Sequence, residues 1–253
     1  MGSTMTEHID VETPQGSGPF RVELAMGAGR LDVRPGAGQK IIAGTVTYNV
    51  EELKPIVTVT GDTVRVEQHV ESLRTIRGNI KNDWDLKLGD APMSFNLKIG
   101  AAKGDIDLGG LSLSGLSISQ GATDFELSFK RPNQVEMADL SFQAGAAKSD
   151  LSGLSNANAE SMNFSGGAGD LRLDFSGELR RDLHVSIKAA AGNVVIDVPR
   201  GVPARANLRN ILSNVKMSGG WTQSGGTYQL PGDGPAISFD LKMSVGQVSL
   251  RSS

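Results

Sequence analysis

The chain of 253 residues contains no cysteine, only three histidines and few aromatic side chains, which make up 5% of its residues. The absence of cysteine excludes disulfide bonds, thiol catalysis and thiolate metal sites. The histidines, His8, His69 and His184, lack metal-ligand spacing, so we expect no metal and no other cofactor. With so few aromatic rings, the core must come mainly from Val, Leu, Ile and Ala in narrow layers.

Long apolar runs are also missing, and no stretch reaches the roughly eighteen residues that a membrane-spanning helix needs. Residues 1–19 are polar, lack the apolar core of a secretory signal and are expected to form a flexible N-terminus. We therefore expect this chain to be soluble and not to insert into a membrane. The formal net charge of −3 gives no electrostatic reason to expect binding to nucleic acid.

What the chain does contain is a short repeated unit built on a Gly–Ala turn, with its clearest copy at residues 95–108, FNLKIGAAKGDIDL. In each copy the positions six and four residues before the turn are apolar. From Ala101 to Ala191 the turns recur at spacings of 21, 24, 22 and 23 residues. The alanines of the turns are Ala28, Ala101, Ala122, Ala146, Ala168 and Ala191.

Apolar residues two apart lie on one face of a strand, so each unit is predicted to be two half-buried strands around a tight bend. The period predicts an all-β fold, a β-helix-like solenoid with rungs of about 22 residues. A β-sandwich is the alternative, since it also has regularly spaced short strands. We expect the turn alanines to pack tightly at the corners and five apolar residues to form one inward column: Leu97, Ile118, Phe142, Phe164 and Ile187.

Three sections follow from the distribution of the repeat. Residues 1–19 are the flexible N-terminus, and residues 20–91 contain a cap of antiparallel strands with a tight hairpin at Gly61-Asp62. Residues 92–253 are the solenoid, with a divergent, hairpin-containing section at 202–235. Within the cap, the polar residues 71–89 are interpreted as a loop or linker.

Two sets of polar residues are candidates for function. Asp recurs just after the turns, and a pair such as Asp105 and Asp150 could supply the acid and base of a glycosidase; alternatively, each Asp accepts backbone N–H groups at its corner. The second set is a ladder of small polar residues on the solvent side of the first strands. It is either a plain soluble sheet face or a surface across which a partner or glycan lies.

The aromatic residues outside the repeat are the candidate contacts for a partner or glycan: Trp84, Trp221 and Tyr228. The alternative for Trp221 and Tyr228 is structural, because both lie in the predicted hairpin WTQSGGTYQL and can pair across it as a cap. No catalytic residue is assigned, since the chain contains none of the common nucleophile, phosphate-binding or zinc-protease motifs.

Residues 20–69, especially VELAMGAGRLDVRPG and GTVTYNVEELKPIVTV, resemble the N-terminal part of bacterial toast-rack domains. The later turns GAAKGDIDL, GAAKSDL and GGAGDLRLDF resemble the same family and the related adhesin-like β-helix group. Toast-rack domains also form the C-terminal part of LiaF-like cell-envelope stress proteins. The resemblance implies a β-helix-like solenoid, a toast-rack-like cap at 20–91 and an extracytoplasmic or membrane-associated setting. It supplies no catalytic residues.

Two function classes remain open. The first is a non-enzymatic interaction module of the cell envelope, a stress-response scaffold or adhesin-like protein, whose partner is a protein or an envelope component. The second is a β-helix protein that binds or cleaves polysaccharide. The sequence does not distinguish them, and it does not determine the oligomeric state.

Overall fold

The computed structural model describes residues 3–68, 80–122, 124–209 and 212–253. Strands account for 68% of the chain, and no α-helix occurs in the described ranges. Within these same ranges the chain forms two short 3₁₀ turns, at Glu51–Leu53 and Leu154–Ala157. The all-β expectation is therefore confirmed.

The described part of the chain forms eighteen strands, and five of them are 15 or 16 residues long. In chain order they are β1 Met5–Glu12, β2 Phe20–Pro35, β3 Lys40–Tyr48, β4 Ile56–Thr60, β5 Thr63–Glu67, β6 Asn82–Leu88, β7 Met93–Asp107, β8 Leu113–Gln120, β9 Asp124–Ser128, β10 Met137–Ala144, β11 Ala147–Ser152, β12 Ala159–Asp174, β13 Leu183–Val198, β14 Ala204–Arg209, β15 Leu212–Met217, β16 Thr222–Ser224, β17 Thr227–Leu230 and β18 Ile237–Ser252.

Six of these strands form a closed ring in which every pair is parallel. The long strand β7 pairs with β8 through residues 93–99 and with β9 through residues 104–107. β8 continues to β10 and β9 to β11, and both β10 and β11 pair with the long strand β12. The remaining strands attach outside this barrel. The predicted β-helix-like solenoid is therefore wrong.

The ring closes because strand length differs along the chain. β7 and β12 run without interruption through the Gly–Ala turn, whereas the two units between them break at their turns into β8 with β9 and β10 with β11. Two routes of strand pairing therefore connect β7 to β12, one through β8 and β10 and the other through β9 and β11. The repeat pattern treats every unit alike, so it could not reveal which units would be continuous.

The stacking of the repeat itself follows the predicted register. Leu97 lies beside Ile118, Ile118 beside Phe142, Phe142 beside Phe164, and Phe164 beside Ile187. All five side chains are buried, and the rings of Phe142 and Phe164 have centroids 6.3 Å apart. The predicted inward column is confirmed.

Replacing Phe142 with Ala removes a ring from the middle of this column and leaves a cavity between two packed neighbours. We expect the free energy of unfolding to fall by about 3–5 kcal/mol, measured by urea denaturation. The exposed neighbour Gln143 provides the control, and its replacement with Ala should change stability by less than about 0.5 kcal/mol. An equal effect of both changes would contradict the assigned faces.

The crowded corner positions are glycines and not the alanines of the turns. Ala101, Ala122, Ala146 and Ala168 are exposed. In contrast, a Cβ on Gly192, whose φ is +121°, would overlap the carbonyl oxygen of Gly169 in the strand below. The expectation of tightly packed alanines is wrong at these four turns, because successive turns approach through their backbones and leave the alanine methyl groups exposed.

Replacing Gly192 with Ala is expected to lower the free energy of unfolding by about 1–3 kcal/mol, since the new methyl group meets backbone at a positive φ. Replacing Ala146 with Leu should leave stability within about 0.5 kcal/mol of the wild type. Thermal unfolding of the two variants measures both effects. If Ala146→Leu lowers the melting temperature more than Gly192→Ala does, the alanines and not the glycines are the crowded positions.

The N-terminal region mixes antiparallel and parallel pairs. β4 and β5 form the hairpin predicted at Gly61-Asp62, with Thr60 opposite Thr63. Residues 82–88, interpreted above as loop or linker, instead form β6, which pairs parallel with β2 and antiparallel with β3. His69 and residues 70–79 lie outside the described part of the chain.

The divergent section at 202–235 continues the parallel stacking. β14 and β15 both pair with β18 in parallel. The predicted hairpin is present as β16 and β17, with Gln223 opposite Tyr228, and β17 also pairs antiparallel with β14. The strands therefore persist where the sequence repeat fades.

Candidate functional site

The candidate site is the outer surface of the strand segments that precede the turns, which we call the polar face. It consists mainly of two parallel lines of side chains, each contributed by neighbouring strands in register. Row A contains Glu23, Asn96, Ser117, Ser141, Asn163, Ser186, Asp240 and Asn207. Row B contains Ala25, Lys98, Ser119, Gln143, Ser165, Lys188, Lys242 and Arg209.

The face is polar because strand side chains alternate between the two sides of the sheet. The residues between the two rows point inward and are buried, including Leu97, Ile118, Phe142 and Ile187. Neighbouring strands lie about 4.7–4.9 Å apart, so equivalent side chains form continuous lines across the sheet. Within the two rows the central residues are uncharged and the charges lie at the two ends. The carboxylate of Asp139 lies beside row A, where it accepts a hydrogen bond from Asn163.

A groove of about 330 Å³ lies at the β5 end of the face. Its charged lining comes from Glu23, Arg65, Glu67 and Lys98, and neutral polar groups complete it: Asn96, Ser117 and Ser119. Arg65 stands beside Glu23 because β5 pairs in parallel with β2. The groove therefore presents cationic donors, anionic acceptors and neutral polar groups.

An ion pair organises this groove. Arg65 donates from Nε and Nη2 to Oε2 of Glu23, at 2.8 Å and 2.7 Å. The hydrogen bond to Glu23 and the charge of that carboxylate raise the pKa of Arg65. The Arg65 side chain is 45% exposed, so the pair contributes little to stability and acts mainly to orient the two groups.

A second depression, of about 390 Å³, lies at the β18 end of the same face. Lys188 and Lys242 line it with Ser165 and Ser244. Both lysines are exposed, and neither ammonium group forms an ion pair with any residue that the structure describes. The closest carboxylate in row A, Asp240, instead lies 3.8 Å from the Nε2 atom of His184.

The recurring carboxylates lie on a different surface, outside the strand segments that follow the turns. Five acidic residues form one line across neighbouring strands: Asp85, Asp32, Asp105, Glu126 and Asp150. Arg34 lies 2.7 Å from Asp85, and Arg30 lies 2.9 Å from Asp32. Within the described ranges, no group of three His, Asp or Glu side chains is arranged to hold a metal ion.

The three aromatic residues proposed as contacts are all buried. Trp84 on β6 is 1% exposed and donates its Nε1–H to Oδ1 of Asn82. Trp221 is 6% exposed and donates its Nε1–H to the carbonyl oxygen of Arg251, and Tyr228 is 8% exposed. The structure does not bring Trp84 together with the other two. A surface that binds a partner must therefore be formed largely by other residues.

Sequence reasoning identified the polar ladder but missed the groove at its β5 end. Glu67 and Arg65 reach the face only because β5 pairs with β2, strands about forty residues apart in sequence. No Gly–Ala turn marks β5, and a parallel partner cannot be read from alternation alone. Arg209 was missed because no recognisable repeat surrounds it.

Replacing Trp221 with Ala is expected to lower the free energy of unfolding by about 3–5 kcal/mol, because it empties a buried site and removes a hydrogen bond. Urea denaturation monitored by circular dichroism measures this change. The exposed neighbour Thr222, replaced with Ala, is the control and should change little. A fully stable Trp221→Ala protein would contradict the packing role.

Comparisons with known proteins agree with this architecture. Residues 1–152 and 130–197 match the family described as the N-terminal domain of toast_rack, DUF2154. Because the match covers more than half of the sequence, the chain belongs to the toast-rack family. No curated protein sequence matches it significantly.

Two solved structures match the chain over nearly its whole length at low sequence identity. One is a "putative cell adhesion protein" from Clostridium sporogenes, with 18% identity, a TM-score of 0.52 and coverage of 99% of this chain and 100% of the other. A second is a "putative adhesin" from Bacteroides fragilis, with 11% identity, a TM-score of 0.38 and coverage of 98% and 97%. The first supports the overall fold, and the TM-score of the second is too low to add to it.

Among the helices in the described ranges, none is long and apolar enough to cross a bilayer.

Proposed function

We propose that the protein is a non-enzymatic, extracytoplasmic interaction module of the cell envelope that binds its partner along the polar face. The observation that carries this proposal is the in-register line of exposed polar side chains across neighbouring strands, with a groove at one end and a depression at the other. Extended regular surfaces of stacked strands suit binding to partners of similar length.

Membership of the toast-rack family supports the envelope setting of the proposal. The Clostridium sporogenes protein of similar fold carries the name "putative cell adhesion protein", which supports an adhesin-like role in this proposal. An adhesin binds through an exposed surface and needs no reaction centre.

The chemistry of the polar face suits hydrogen bonding to a polar partner. Ser117, Ser141 and Asn163 of row A present hydroxyl and amide groups that both donate and accept. Because these groups are neutral, a partner can bind without the desolvation cost of burying unpaired charges. Each contact is weak, so specificity would come from many contacts along the row.

The proposal includes the absence of catalysis. Asp105 and Asp150, the carboxylates considered as an acid and base, lie on β7 and β11 with Glu126 on the strand between them. A catalytic acid generally lies in surroundings that favour its protonated form at neutral pH. Asp105 is instead exposed on the outer surface. Hydrolysis of a polysaccharide that is lost in Asp105→Asn would overturn this part of the proposal.

A bulky side chain in the centre of the polar face should block binding. Asn163→Trp is expected to weaken binding to envelope fractions from the expressing bacterium at least about fivefold, since it covers the middle of both rows. Binding is measured by sedimentation with the fraction.

The chain offers a matched control on the opposite surface. Nδ2 of Asn163 donates to Asp139 at 2.8 Å, and Nδ2 of Asn193 donates to Asp170 at 2.7 Å on the next strand. Both asparagines are exposed. Asn193→Trp should therefore cost similar stability and leave binding unchanged. Equal binding by wild type and both variants would contradict the polar face as the binding surface.

A further inference from the structure

Row B has an unusual charge composition. From Lys98 to Arg209 it contains four cations and three neutral polar residues on seven neighbouring strands, and no carboxylate. The chain as a whole carries a formal net charge of −3 and has 25 Lys and Arg among 253 residues, so four cations in a line of seven run against the overall balance. The row spans roughly 29 Å at the usual spacing of strands.

Three of the cations are direct neighbours. Lys188 lies beside Lys242, and Lys242 lies beside Arg209, so the three side chains start about 4.7–4.9 Å apart. All three are exposed, and none forms an ion pair with a residue that the structure describes. Like charges directly opposite one another on a sheet are destabilising. A negatively charged ligand would remove this repulsion.

The carboxylate of row A on the same strand as Lys242, that of Asp240, forms no ion pair with the three cations. Asp240 stands two residues before Lys242 in row A, where it faces His184 at 3.8 Å and accepts a hydrogen bond from Nδ2 of Asn207 at 3.4 Å. Beside the cations lies the depression of about 390 Å³, with the hydroxyl groups of Ser165 and Ser244 in its lining. The site thus combines positive charge, hydroxyl groups and space.

We propose that row B binds an acidic polysaccharide that lies across the strands, with its acidic groups at Lys188, Lys242 and Arg209. This assignment rests on the proposed function and names the ligand of the same face. A linear polymer fits because the three cations lie side by side on successive neighbouring strands. Towards Lys98 the row continues as Ser119, Gln143 and Ser165, whose neutral groups suit the hydroxyls of a sugar chain.

The composition of the two rows disfavours two other negatively charged partners, single-stranded nucleic acid and a lipid bilayer. Neither row A nor row B contains an aromatic side chain, and aromatic platforms are the usual means of holding single-stranded nucleic acid. Neither row contains a large apolar side chain, which surface binding to a bilayer uses alongside basic residues. An acidic polysaccharide needs only charge and hydrogen bonds, and the row supplies both.

Binding to polygalacturonate tests the proposal, with neutral dextran as the comparison polymer. Wild-type protein, studied by isothermal titration calorimetry at low ionic strength, should bind polygalacturonate, with an affinity that falls as salt is added, and should not bind dextran. The triple variant Lys188→Gln, Lys242→Gln, Arg209→Gln should bind about tenfold more weakly or worse, and its salt dependence should be shallower.

The matched control removes the same charge from the opposite surface through Lys103→Gln, Lys148→Gln and Arg172→Gln. All three residues are exposed cations on strand segments that follow the turns. This variant should bind polygalacturonate within about twofold of the wild type, as expected for charges that do not contact the ligand. Circular dichroism melts of both variants test whether they remain folded.

Several outcomes would overturn the proposal. If the first triple variant binds polygalacturonate as tightly as the wild type, row B is not the binding site. If both triple variants lose the same affinity, the binding depends on the net charge of the protein and not on row B. Tighter binding of duplex DNA or of phosphatidylglycerol vesicles through the same residues would assign another ligand class. The two proposals can fail separately. If Asn163→Trp abolishes envelope binding but wild-type protein does not bind polygalacturonate, the polar face remains the binding surface and the proposal of an acidic polysaccharide is wrong.

Discussion

In-register parallel stacking is the constraint on which the rest of this structure depends. Each residue of a stacked strand lies beside its equivalent in the next, as Phe142 lies beside Phe164 and Phe164 beside Ile187. A property needed at one position is therefore needed again about 22 residues later. This requirement produces the repeated apolar column, the glycines at backbone contacts and the polar rows on the outer surface.

The same constraint makes charge on the outer surface costly, because a charged side chain has equivalents on both neighbouring strands. Neutral serine, asparagine and glutamine avoid the cost and fill the centre of the polar face. The line of carboxylates on the other surface is partly compensated where Arg30 and Arg34 pair with Asp32 and Asp85. The cations at the β18 end of row B form no ion pair with any described residue. They are therefore the charged group on which a negatively charged ligand is proposed to bind.

Some residues were misjudged from the sequence because their surroundings come from distant parts of the chain. Trp84 lay in a polar segment that resembled a linker, yet β6 pairs with both β2 and β3 and buries the ring. The turn alanines were expected to be crowded because they recur, whereas the backbone overlap falls at glycines such as Gly192. Periodicity reports that a position is equivalent in every unit, but it does not report what lies opposite that position.

The sequence by itself determined the all-β class, the inward column and the polar ladder, since alternation within a strand and the repeat between strands are local properties that side chains record directly. Family membership was also visible in the turns. Only the tertiary structure decided that six parallel strands close into a ring, that β5 adds Arg65 beside Glu23 to form the groove, and that Arg209 extends the line of cations. These features depend on which distant strands pair and on where a strand continues through its turn, and such choices are made by packing across the whole chain.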